Sequence, residues 1–66
     1  MTKYEVYAYV SGLQLGINDC AYYCKEERVF KTLKAAKEWA QQFRNDNIGS
    51  MCDIDRVTPT GRKRVA

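Results

Sequence analysis

The chain has no histidine, one proline, and four glycines scattered at positions 12, 16, 49 and 61. Without histidine, the usual acid–base group at neutral pH is missing. Glycines so dispersed form no loop that could cradle a phosphate. No run of about 18 apolar residues is present to span a bilayer. The opening Met1-Thr2-Lys3-Tyr4-Glu5-Val6 carries charge where a secretory leader would be apolar, so a cytoplasmic location is expected. Cysteine is also sparse and odd in number: Cys20, Cys24 and Cys52 cannot all pair, and they are expected to serve as small buried or half-buried apolar residues. Their spacing suits no zinc site, and neither metal nor cofactor is expected. Lys25 alternates to the strand face opposite Cys24, so it cannot activate that thiol. Asp53 and Asp55 share a strand face, where they are read as solvated acids opposing Arg62 and Arg64 rather than as a catalytic pair. A non-enzymatic protein is the expectation.

What is present is enough for one small domain over residues 1–66, with 45% apolar residues. Its organising stretch is Phe30 to Phe43. Leu33, Ala36, Ala40 and Phe43 recur at steps of three and four with Trp39 on the flank, Thr32 stands at the N-cap, and Asn45-Asp46-Asn47 and Gly49 punctuate the end. Lys3 to Val10 alternates as a strand, with Tyr4, Val6, Ala8 and Val10 toward the helix and Glu5, Tyr7 and Tyr9 away from it. Residues 13–18 fit either a continued hairpin or a loop. Cys20 to Val29 reads as a second strand in one of two registers. The register with Cys20, Tyr22 and Cys24 inward buries no charge and is preferred; it leaves Tyr23 outward beside Tyr7 and Tyr9. Ser50 to Val57 is a third strand with Cys52 and Ile54 inward. Thr58-Pro59-Thr60-Gly61 marks a turn, and Arg62 to Ala66 could form a short returning strand. The expected fold is α+β in ββαββ order, a single antiparallel sheet of three to four strands with one helix across one face.

The net charge of +3 is unevenly spread: −2 over residues 1–27, +4 over 28–44 and +1 over 45–66. Three surfaces could bind a partner. The first is the tyrosine face, with Tyr7, Tyr9 and Tyr23 as aromatic anchors. The second is the helix start, where Lys31, Lys34 and Lys37 sit near the positive end of the macrodipole and hint at an acidic partner. The third is the terminal hairpin with Arg62 and Arg64. A host protein complex is the first-ranked partner and nucleic acid the alternative, since Asp53 and Asp55 oppose a phosphate backbone on the tyrosine face. No membrane association is expected, and the protein is expected to be a monomer or a homodimer.

Two resemblances add to this reading. Val29-Phe30-Lys31-Thr32-Leu33-Lys34-Ala35-Ala36-Lys37-Glu38-Trp39 resembles the strand-to-helix step of the arm-DNA-binding domains of tyrosine integrases, although the preceding strands carry less Lys and Arg than that family. The Phe30 to Lys37 helix start, with Met51 to Arg64, is similar to short phage-borne ββαββ proteins of the anti-CRISPR inhibitor kind. That second likeness implies a protein that acts by binding and blocking a host complex.

Overall fold

The Lys3 to Ser11 alternation places Val6, Ala8 and Val10 on one side of a strand, where all three are buried. Around this strand, β1 (Lys3–Ser11), a computed structural model describes all 66 residues. A 3-10 turn (Gly12–Leu15) follows, then β2 (Tyr22–Phe30), one helix α1 (Leu33–Asp46), β3 (Met51–Thr58) and β4 (Gly61–Arg64). All neighbouring strands are antiparallel, in the order β2-β1-β3-β4, so the first strand lies inside the sheet and the expected ββαββ architecture is present. Residues 13–18 are turn and loop rather than hairpin.

The helix begins as the sequence dictates: the Thr32 hydroxyl accepts a hydrogen bond from the Ala35 amide at 3.1 Å. Its apolar stripe lies on the sheet. Ala36 and Ala40 meet Val6 and Ile54, while Phe43 meets Ala8 and Val10. Alanine at the two contact positions lets the helix approach closely, and Phe43 fills the wider end. Trp39 is half-buried on the β2 flank, stacked on Phe43 with centroids 5.4 Å apart and tilted against Phe30 at 6.2 Å. The Arg28 guanidinium carbon lies 5.7 Å from the Trp39 ring centroid, a cation–π contact that covers the ring. Only nine residues are buried, so the core has little excess stability to lose.

One register expectation fails. Val6 opposes Arg28 and Ala8 opposes Glu26, but Tyr9 opposes Cys24 and Val10 opposes Tyr23. Lys25 is the extra residue of a β-bulge, and an inserted residue reverses which side every later side chain takes. Cys24 therefore shares the open face with Tyr9. Tyr23 shares the helix side with buried Val10 and does not join Tyr7 and Tyr9. The cysteine expectation also needs correction: Cys20 and Cys24 are exposed free thiols, and only Cys52 is half-buried.

Candidate functional site

β1 and β3 alternate, so Glu5, Tyr7, Tyr9, Met51, Asp53 and Asp55 share the face away from the helix, as their spacing implied. Glu5 stands directly opposite Asp55, a like-charge pair that is tolerable only with cations between them. Arg62 and Arg64 from β4 supply those cations. Arg62 bridges Glu5 and Asp55, and Lys3 adds a contact to Glu5 at 3.5 Å. Arg64 holds Asp55 and also reaches Asp53 at 3.2 Å. Beneath this cover Asp55 is only 6% exposed, so it is not the solvated acid expected from the sequence.

Tyr7 is drawn into the same network. The Tyr7 hydroxyl donates to Glu5 and accepts from Arg62 at 3.2 Å. The donated bond holds the Glu5 carboxyl below its usual range, with Arg62 and Lys3 assisting against the cost of burial. The same bond pushes the Tyr7 phenol up. Burial pushes Tyr9 up, reinforced by the nearby Cys24 and Asp53. Tyr23 donates to the Asp19 carboxylate at 2.7 Å, away from these two. Of the expected contact residues, then, Tyr7, Tyr9, Arg62 and Arg64 share one face, where Tyr7 and the two arginines are engaged by Glu5, Asp53 and Asp55. Tyr23 lies on the other face. Lys31 occupies the step between β2 and α1, while Lys34 and Lys37 are exposed on the helix.

Free apolar surface is concentrated elsewhere, at the end of the molecule where β1 finishes and β2 and β3 begin. Leu13, Leu15, Ile17, Tyr22, Ile48 and Met51 are all exposed large apolar side chains gathered there, with Ile48 at 86%. Two hydrogen bonds tie the contributing loops together: the Gln14 amide nitrogen donates to the Ile48 carbonyl at 2.8 Å, and the Tyr22 hydroxyl to the Gly49 carbonyl at 2.7 Å. Gly12 anchors the first loop. A Cβ there would come within 2.7 Å of the Asp19 carbonyl oxygen and 3.0 Å of the Tyr23 ring. Sequence reading missed this surface because it left residues 13–18 unassigned; the apolar residues at 13, 15 and 17 were its only signal.

No group of three or more His, Cys, Asp or Glu side chains is arranged to hold a metal ion. No helix is long and apolar enough to cross a membrane. No protein-family model matches the chain, and no curated protein or solved structure shows a significant match to it.

Proposed function

We propose that the protein acts by binding a protein partner through the apolar end formed by Leu13, Leu15, Ile17, Tyr22, Ile48 and Met51, occupying a surface of a host complex in the manner of the small inhibitors it resembles. The observation that carries this reading is the gathering of exposed large apolar side chains on two loops and the adjoining first residues of β2 and β3, cross-tied by hydrogen bonds. Loops already held in one arrangement lose little conformational freedom on docking. Exposed apolar side chains brought to one end in this way are what a protein interface buries at its centre. The partner it fits presents an apolar patch of its own. The tyrosine face supports this less, since the Tyr7 hydroxyl, Arg62 and Arg64 are already engaged there with Glu5 and Asp55.

Affinity capture from a bacterial lysate, with and without nuclease, tests the reading. Capture should survive nuclease and fall at least about tenfold when Leu13 and Ile48 are both changed to serine, consistent with losing two apolar anchors. Capture that vanishes with nuclease, or is indifferent to the serine pair, rejects it. Sedimentation of the purified protein separates the remaining case. A dimer dissociated by the same two substitutions would make a second copy the occupant.

A further inference from the structure

Ion pairs within 4 Å engage only Lys3, Arg28, Arg62 and Arg64, leaving seven of the eleven cationic side chains without an acidic partner. The fold brings five of those seven to one flank. Lys34, Lys37, Gln41 and Arg44 follow one another at steps of three and four, forming a stripe along α1 roughly 15 Å long. Trp39 faces β2, where it meets Phe30 and Arg28. Lys37 stands about 160° away around the helix, toward β3. The β3 side is fixed independently: the Cys52 thiol donates to the Ala40 carbonyl at 3.8 Å, and Arg44 lies beside that thiol.

The hairpin supplies the other unpaired cations of this flank. Arg56 and Lys63 are direct cross-strand partners on the helix side of the sheet, and neither meets an acid. Like charges directly opposed destabilise a hairpin. The first turn of α1 likewise has no acidic residue and carries Lys34, against the preference of the macrodipole. Glu38, the acid nearest these lysines in the chain, makes no ion pair. A shallow depression of about 180 Å³ at the hairpin is lined by Arg56, Thr58, Thr60, Arg62 and Lys63. Its two threonine hydroxyls, 3.1 Å apart, add neutral hydrogen-bonding groups. None of the exposed large apolar residues belongs to this flank, so it lacks the apolar centre of a protein interface.

We infer that the flank formed by α1 and the β3–β4 hairpin binds the phosphodiester backbone of a nucleic acid, with Lys34, Lys37, Arg44, Arg56 and Lys63 each meeting a phosphate. Cations in a row with hydroxyl and amide donors between them suit a repeating anion. This is independent of the apolar end, and the two can be separated: Leu13→Ser with Ile48→Ser leaves oligonucleotide binding intact.

Fluorescence anisotropy with labelled single-stranded and duplex oligonucleotides, titrated with salt, is the test. Five phosphate contacts predict a logarithmic salt slope of about −3.5 for a single strand or about −4.5 for a duplex. Arg56→Gln with Lys63→Gln, and separately Lys34→Gln with Lys37→Gln, should each make that slope shallower by about 1.5 and weaken binding about tenfold or more at roughly 0.1 M salt. The hairpin pair should keep or raise the melting temperature because it removes a like-charge opposition, so its loss of binding is not loss of fold. Lys25→Gln removes an unpaired cation at the β2 bulge and should weaken binding less than threefold. The inference is overturned if no salt-dependent binding is seen, or if Lys25→Gln weakens binding as much as either pair. Displacement of the oligonucleotide by polyglutamate at equal charge also overturns it, pointing instead to an acidic protein.

Discussion

Glu5 shows how one side chain links sequence to stability. It alternates away from the core, stands opposite Asp55, and would be repelled were it not for Tyr7, Arg62 and Lys3. Its folded pKa lies below its unfolded value, so its contribution is present above the ordinary glutamate pKa of about 4.3 and disappears as pH falls through the folded value. Melting temperatures measured from about pH 6 down to about pH 2 should therefore fall on the acid side, and Glu5→Gln should flatten that limb. An unchanged acid limb in the variant would show that the Tyr7–Glu5–Arg62 network does not stabilise the fold. The cysteines differ at the same scale. Cys20 and Cys24 are exposed, whereas burial pushes the Cys52 thiol up and Arg44 only partly opposes this. A thiol reagent near neutral pH should modify two groups quickly and the third more slowly; three equally fast thiols would contradict the placement of Cys52 against Ala40.

At the level of elements, the helix is the segment whose sequence and structure agree most closely. Its cap, stripe and termination were legible because each rests on neighbours along the chain. Thr32→Ala should cost about 1 kcal/mol in denaturant unfolding through loss of the bond to the Ala35 amide. Trp39 is only half-buried, so Trp39→Ala should cost about 2–3 kcal/mol, below the roughly 3–5 kcal/mol of a fully enclosed ring. In β2 the face of each side chain was not legible, because nothing in Tyr22-Tyr23-Cys24-Lys25-Glu26 announces a bulge. The alternation changes phase at Lys25, and that depends on pairing with β1. The loop after β1 depends on Gly12, whose missing Cβ admits the Asp19 carbonyl and the Tyr23 ring. Gly12→Ala should destabilise by about 1–3 kcal/mol, and a neutral effect would mean the loop can move aside.

Across the whole molecule, roughly 40 Å in its longest dimension, the charged and apolar surfaces are segregated. The face with Glu5, Asp53 and Asp55 is neutralised internally by Lys3, Arg62 and Arg64. Five of the seven unpaired cations lie on the helix side, and six of the exposed large apolar side chains lie at the end bearing Leu13 and Ile48. Leu13 and Ile48 are 58% and 86% exposed, so changing both to serine should shift the melting temperature by no more than a few degrees. A large loss would place them in the core and remove the proposed docking end. The sequence by itself determined the helix, the alternation of β1 and β3, the terminal turn and the ββαββ order, because each is written in spacings within a few residues. Tertiary structure alone decided that Glu5 joins Asp55 on Arg62 and that Asp55 is buried beneath the arginines, that Tyr23 lies apart from Tyr7 and Tyr9, and that two loops join into one apolar end. Those outcomes depend on which residues distant in the chain become neighbours, and strand pairing and the bulge at Lys25 set that.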